Sequence, residues 1–218
     1  MTSTRKATVE SRRQQRREEH QRVSRDQLLD AAEEVFGNKG YHQTTLKEVA
    51  ELAEFSVGSV YSFFENKDDL FQQIFLRRGE QFLPGMRAVL SSAAPADQVL
   101  GELVAFEVGF YRDNPHFARL YLRSWSTSRP SEQVSNPTVM NRYAEAINMQ
   151  AELFARGQAA GTFCDGDPGA LSRLFSGLVA SFQALDPLVM SDDPTNPDEL
   201  ERMSLDEFQR LVARTFVR

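Results

Sequence analysis

The sequence predicts an all-α fold, on three observations. Apolar residues recur at helical spacing, as at Leu46, Val49, Ala50 and Ala53, or at Leu171, Leu174, Phe175, Leu178, Val179, Phe182 and Leu185. The alternation that a half-buried strand needs is absent. Helix-start signals punctuate the chain: capping boxes at Ser24/Gln27, Thr45/Glu48 and Ser204/Glu207, and Asx-Pro pairs at 114–115, 136–137 and 167–168.

The elements follow in order. Residues 1–23 lack apolar periodicity and read as a basic arm, disordered or fraying helix in the free protein. Helix one is expected to begin at Ser24, with Val23 and Leu28 as its hydrophobic staple. Leu29, Ala32 and Phe36 run down one face, and Gly37 or Gly40 ends it. Thr45 starts the second helix, and Glu54-Phe55-Ser56 leaves room only for a turn. Ser56 then caps a third helix, with Phe55 and Val60 as its staple. Asn66 caps a fourth, whose dipole Asp68 and Asp69 complement; it is expected to stop near Phe82 at Pro84-Gly85. Five more helices are expected, over about 97–112, 115–125, 137–160, 168–185 and 204–216. Polar stretches at 126–135 and 186–203 read as loops. The expected division is an arm (1–23), a compact three-helix domain (24–70) and a helical bundle (71–218).

Residues 44–70 carry the strongest signal. Two short helices meet at a tight turn, and the second presents small, polar and aromatic residues outward, the form of helix that enters a DNA major groove. This is a helix-turn-helix. Ala53-Glu54-Phe55-Ser56-Val57-Gly58-Ser59-Val60-Tyr61-Ser62-Phe63-Phe64-Glu65-Asn66-Lys67-Asp68-Asp69-Leu70 closely resembles the TetR (tetracycline-repressor-type) pattern A-G-V-S-x-G-T-L-Y-x-H/Y-F-x-S-K-E-x-L. Upstream, Phe36 to Leu46 is similar to its F-x-x-x-G-Y-x-x-T-T-V. The resemblance implies an N-terminal DNA-binding domain joined to a helical dimerisation and ligand-binding domain, and it is close only as far as Leu70.

Carried over by position, the resemblance makes Ser56, Val57, Gly58, Ser59, Tyr61, Ser62 and Phe63 DNA-reading residues. Gly58 permits close backbone approach, Ser59 a hydrogen bond, and Val57 and Tyr61 contact with a thymine methyl. Thr45, Lys47 and Lys67 are expected at phosphates or base edges. Two positions depart from the pattern. Glu54 replaces the turn glycine, so the turn either avoids positive φ or carries roughly 1 kcal/mol of strain. Phe63 cannot hydrogen-bond a phosphate.

Charge is unevenly spread. The net charge is −6, but residues 1–25 hold eight Lys/Arg against three Glu, and residues 26–70 hold three Lys against ten acidic residues. An acidic reading head must draw its phosphate attraction from elsewhere. Arg12, Arg13, Arg16, Arg17, Arg22 and Arg25 are therefore expected to track phosphate or enter the minor groove; a solubilising tail is the alternative.

In the bundle, Phe106, Phe110, Tyr121, Trp125, Met149, Phe154 and Phe175 are candidates for an effector pocket, with plain core as the alternative. Arg119 and Arg123, with Glu107 or His116, are the candidate polar anchors. The effector is expected to be small and apolar or aromatic. Leu171, Leu174, Leu178, Phe182, Phe208, Leu211, Val212 and Phe216 are candidates for a homodimer interface, as a four-helix bundle across a two-fold.

No membrane span and no secretory leader are read, and the single Cys164 fits a reducing compartment, so a cytoplasmic location is expected. His20, His42 and His116 lack metal-ligand spacing, and no catalytic constellation is present, so neither metal, cofactor nor enzymatic activity is expected. The expected function is a ligand-responsive transcriptional regulator acting on a double-stranded palindromic operator. The alternatives are a small-molecule-binding or catalytic bundle without a DNA partner, and a constitutive DNA-binding adaptor without a ligand.

Overall fold

The computed structural model describes the backbone of residues 2–126, 129–130, 134–191 and 203–218, and their side chains except at 2–13, 16, 125, 126, 129 and 130. The described residues are predominantly helical, as the sequence predicts. A two-residue antiparallel pair, β1 (Trp125–Ser126) with β2 (Arg129–Pro130), begins at the last residue of the expected 115–125 helix and otherwise lies in the stretch expected as loop, and a single antiparallel bridge joins Phe163 to Val217. The chain divides into two compact units, Met1–Phe71 and Gln72–Arg218.

The first unit holds α1 (Thr2–Lys39), α2 (Leu46–Leu52), α3 (Val57–Phe63) and the start of α4 (Lys67–Leu90). Helix α1 corrects the expectation of a cap at Ser24, because it runs straight through that residue. Glu, Gln and Arg are strong helix formers, and neighbours one turn apart pair along the stretch. Gln14 Nε2 donates to Glu18 Oε1 at 2.7 Å, and Arg22 Nη2 bridges Glu19 at 2.8 Å. Local propensity extends the helix where no apolar face exists to do so.

The core of this unit is Leu28, Leu29, Ala32, Phe36, Val49, Ala50, Val60, Phe64, Leu70 and Phe71, all essentially without solvent contact. Phe36 and Tyr41 each meet Phe71 edge-on, at 5.1 and 5.2 Å between centroids. Both short helices are capped as expected. The Thr45 and Glu48 side chains each accept the other's backbone N–H, at 3.2 and 2.9 Å, and Ser56 Oγ accepts from Ser59 N at 3.0 Å.

The turn between α2 and α3 adopts the strained of the two forms left open. Glu54 sits at φ 60°. Phe55 N donates to Ala50 O at 2.8 Å and Glu54 N to Glu51 O at 3.2 Å, so this is a Schellman end with glutamate where glycine is favoured.

In the second unit, α4 continues through Pro84 instead of stopping there. Pro84 is exposed, so the carbonyl it cannot serve faces water, and the turns beyond it bury Met86. That burial offsets the roughly 3 kcal/mol cost of an interior proline. Gly85 is required, since a Cβ there would run into the Phe106 ring. The bundle continues with α5 (Ala96–Asp113), α6 (Pro115–Ser124), α7 (Pro137–Ala159), α8 (Pro168–Ala184) and α10 (Leu205–Phe216). A short α9 (Pro187–Met190) stands where loop was expected. Its signal is another Asp-Pro pair: the Asp186 carboxylate accepts from Leu188 N at 3.1 Å, and Pro187 opens the turn. Phe154 packs against Phe163 and Phe216 at 5.4 and 5.0 Å, with Phe175 alongside, and Phe182 stacks on Phe208 at 4.4 Å.

Candidate functional site

Helix α3 has one face inward and the rest outward. Val60 is buried, while Val57 and Tyr61 are 37% and 57% exposed, and Gly58 and Ser62 are open beside them. More than half of the Tyr61 surface is open, so its ring is available to a partner. Ser59 is half-buried and already engaged: its hydroxyl lies 2.8 Å from Ser56 Oγ, and its carbonyl accepts from Ser62 Oγ at 2.6 Å. These hydroxyls hold the N-terminal turn of α3 in shape and keep unused lone pairs outward. Phe63 is half-buried and leans on Phe64.

Flanking groups brace this face. Lys39 Nζ reaches Glu48 at 2.6 Å; that contact and then the Thr45 backbone hydrogen bond hold the Glu48 carboxyl down to about 2. Thr45 and Lys47 are exposed, and Lys47 pairs loosely with Glu51 at 3.6 Å. Lys67 Nζ sits 4.3 Å from the Tyr41 ring centroid, and partial burial lowers its pKa. The Tyr41 hydroxyl donates to Asp68, and burial followed by that bond raises it to about 12. Along α1, Arg17 is exposed, Arg22 is paired with Glu19, and Arg25 lies over the Phe64 ring at 5.4 Å. The side chains of Arg12, Arg13 and Arg16 lie outside the described residues.

The second unit contains a cavity with about 100 Å³ open to the centres of water molecules. Each long helix gives it one face. Phe75, Arg78, Phe82 and Met86 come from α4; Val139, Arg142, Tyr143, Ile147 and Gln150 from α7; Ser176, Val179, Ala180 and Gln183 from α8. Glu107 and Tyr111 of α5 join Phe117 and Tyr121 of α6. Aromatic rings form one part of the wall, with Tyr111 and Tyr121 at 5.5 Å and Phe82 and Tyr111 at 6.1 Å.

Polar groups inside this wall are unevenly matched. Gln150 Nε2 donates to Glu107 Oε1 at 2.8 Å, and Gln150 Oε1 accepts from Ser172 and Ser176, each at 2.9 Å. Burial pushes the Glu107 carboxyl up to about 8 against the lowering effect of the Gln150 bond. Burial likewise raises the Tyr111 and Tyr121 hydroxyls. Gln183 is 1% exposed, and neither of its amide atoms has a hydrogen-bond partner among the described residues. An unmet buried polar atom costs about 1–3 kcal/mol, which a folded protein rarely tolerates without use.

Residues 28–74 match the sequence model of the bacterial regulatory proteins of the tetR family. That match takes in the whole of the α2–α3 pair and the residues that carry its resemblance to the tetR-family regulators. It is similar to a fatty acid metabolism regulator protein of Bacillus subtilis, 32% identical over 79 residues, covering 36% of this chain and 41% of that protein. The chain thus spans less than half the length of that curated relative. Among solved structures, it is similar to a tetR-family regulatory protein from Rhodococcus RHA1 with a TM-score of 0.68 and 25% identity, covering 88% of this chain and 95% of that one. It also shares the fold of AibR, solved in complex with isovaleryl coenzyme A and operator DNA, with a TM-score of 0.69 at 15% identity over 88% of this chain and 98% of AibR.

In the second unit the seven expected effector residues scatter. Tyr121 lines the cavity. Phe106 and Phe110 instead pack on Phe82, at 5.3 and 5.0 Å. Phe154 and Phe175 are fully buried in the ring cluster of α7, α8 and α10. Met149 faces a different hollow with Arg87 and Glu152, and the Trp125 side chain lies outside the described residues. Of the anchors, Glu107 is in the cavity, but Arg119 ties α6 to α9 through Val189 O at 3.1 Å, and Arg123 is exposed. The residues missed are Arg142, Tyr143, Gln150, Ser176 and Gln183. Their signal was polar residues inside otherwise apolar helical stripes.

The expected dimer residues also divide. Phe182, Phe208, Val212 and Phe216 are buried within the unit's own core and are unavailable to a partner. Leu174 and Leu211 are 52% and 41% exposed, Leu171 and Leu178 half-buried, and Leu185 extends the outward α8 row at 80% exposed. Gly177 and Ser181 lie between them, open enough for a second helix to approach.

Proposed function

We propose that this protein is a homodimeric transcriptional repressor that binds a palindromic DNA operator through α3 and releases it when a small molecule enters the α4–α8 cavity. The outward face of α3, with Val57 and Tyr61 open on a helix whose own capping needs are met, is the observation that carries the DNA-reading role. Val57, Gly58, Tyr61 and Ser62 read bases, with Ser56, Ser59 and Phe63 shaping the surface beneath them. Thr45, Lys47 and Lys67 meet phosphates. The arginines of α1 at 12, 13, 16, 17, 22 and 25 supply the attraction that the acidic reading head lacks.

Leu171, Leu174, Leu178, Leu185 and Leu211 form the apolar face that a second copy covers. Two reading heads must then lie about 34–36 Å apart to enter successive major grooves. An effector that fits the cavity only at another spacing shifts the population away from DNA. Helix α4 belongs to both functions, with Lys67 in its first turn and Phe75, Phe82 and Met86 in the cavity wall. The AibR complex, which holds both a small molecule and operator DNA, supports this pairing of roles. The cavity favours this reading over a constitutive adaptor, whose bundle would be filled.

The test is genomic DNA capture by the purified protein, followed by titration of the recovered site. Sedimentation as a dimer and retention of one palindromic site are expected. A monomer at micromolar concentration, or no site enriched above random fragments, overturns the reading.

A further inference from the structure

Two polar features of the cavity lack partners suited to them. Glu107 is a carboxyl with one hydrogen-bond donor, Gln150, and no ion-pair partner among the described residues. Gln183 presents an amide with both atoms unmet. Gln150 ties Glu107 to the level of Ser176, and Gln183 lies seven residues further along α8, about 10 Å on the same face. Between them the wall is aromatic, supplied by Phe82, Tyr111, Phe117 and Tyr121.

We propose that the effector is an elongated apolar molecule with a protonated amine at one end, paired with Glu107, and a hydrogen-bonding group at the other, met by Gln183. This rests on the reading of the cavity as the effector site. A buried carboxyl ringed by tyrosine and phenylalanine is matched in charge by a cation and in shape by the electron-rich ring faces. The charged or titratable groups around Glu107 are Tyr111 on α5, Tyr121 on α6, Tyr143 and Arg142 on α7 and Arg78 on α4; α8 offers only neutral Ser172, Ser176 and Gln183. Both arginines also line the cavity, with Arg142 Nη1 3.8 Å from the Glu145 carboxylate and Arg78 Nη1 donating to Gln81 at 2.7 Å.

Before an amine binds, Glu107 is protonated at neutral pH, because burial keeps its carboxyl at about 8. An ammonium ion entering the site displaces that proton, so one proton leaves for each amine bound. Affinity then rises about tenfold per pH unit below 8 and levels above it.

The experiment is calorimetric titration of the full chain with phenylbutylamine, phenylbutanol and phenylbutyric acid. It is run at several pH values and in two buffers of different ionisation enthalpy. The amine is expected to bind at least tenfold more tightly than the other two near pH 8, with close to one proton released at pH 7. Glu107→Gln abolishes both the preference and the proton release while circular dichroism stays unchanged. A para-hydroxyl on the phenyl ring of the amine raises affinity in the native chain and loses that gain in Gln183→Leu. Equal or tighter binding of the acid or alcohol, no proton release, or an unaltered preference in Glu107→Gln overturns the proposal. Failure of all three probes in a protein that still retains its DNA site overturns the amine assignment and leaves the regulator reading standing. Amine binding in a protein that captures no DNA does the reverse.

Discussion

The α2–α3 pair and the cavity of the second unit use polar groups in opposite ways. In the α2–α3 pair nearly every polar side chain is spent on its own neighbourhood: Thr45 and Glu48 cap each other, Ser56 caps Ser59, and Ser62 returns to the Ser59 carbonyl. What remains outward is a preset surface. In the cavity, Glu107 is buried with one donor, Gln150, and the buried Gln183 amide has no partner among the described residues. A surface that meets DNA in water can be fully satisfied alone, since water covers its exposed lone pairs until the partner arrives. A buried carboxyl is less well served, and its burial shows as a displaced titration.

The largest effect that separates the two regions is electrostatic. Deleting residues 1–22 is expected to flatten the slope of log operator affinity against log salt by about 3, if three or four of the six arginines engage phosphate. Effector affinity should not move. Salt titrations of full-length and shortened protein on one operator measure this, and equal slopes make the segment a solvated helix. Next is the filled core beside the cavity. Phe154→Ala is expected to cost about 3–5 kcal/mol in urea unfolding, because its ring meets Phe163, Phe175 and Phe216. Tyr121→Phe should cost far less stability yet alter the effector response. A reversed order would merge core and cavity into one.

Glu107 adds a pH signature to the cavity. Its unfolded carboxyl titrates near 4.3, and its folded one near 8, so the folded state binds more protons across that window. Stability conferred by the protonated form is therefore present at the acid end and declines as pH rises from the unfolded value through 8, by on the order of 1 kcal/mol per unit. Glu107→Gln should remove that decline, as followed by denaturant midpoints between pH 5 and 8.

The smallest effect compares two helix ends of one design. Helices α2 and α7 both close in Schellman motifs, α7 with Thr162 N on Gly157 O at 2.8 Å and Gly161 N on Gln158 O at 2.9 Å. Gly161 takes φ 73° without penalty, and Glu54 takes φ 60° with a side chain. Glu54→Gly is expected to stabilise by about 1 kcal/mol and to raise operator affinity by removing a negative charge beside α3. A lower melting temperature would mean that the Glu54 side chain is needed in place.

Both helix-turn-helix caps, the turn at Glu54, the Asp-Pro and Asn-Pro helix starts and the all-α class were legible in the sequence. Each is decided within about four residues, by a side chain and backbone groups that are neighbours in the chain. The same locality misplaced the start of α1, where the Ser24 capping box was present but the Glu, Gln and Arg upstream continued the helix. The end of α4 was misplaced for the converse reason, since a proline penalty is local and the burial of Met86 is not. The cavity lay further from view. Apolar stripes state how much of a helix turns inward, but not which inward residue meets another ring and which meets a space. Phe154 and Phe82 read alike in sequence; only the packing of α7, α8 and α10 closes the core around one, and only the spread of α4 to α8 leaves the other facing a gap. The sequence by itself determined the helices and the outward face of α3, because hydrogen bonds a turn apart decide them. Tertiary structure alone decided the meeting of Glu107, Gln150, Ser176 and Gln183, because their places depend on how five helices, separated by up to about a hundred residues of chain, exclude one another's volume.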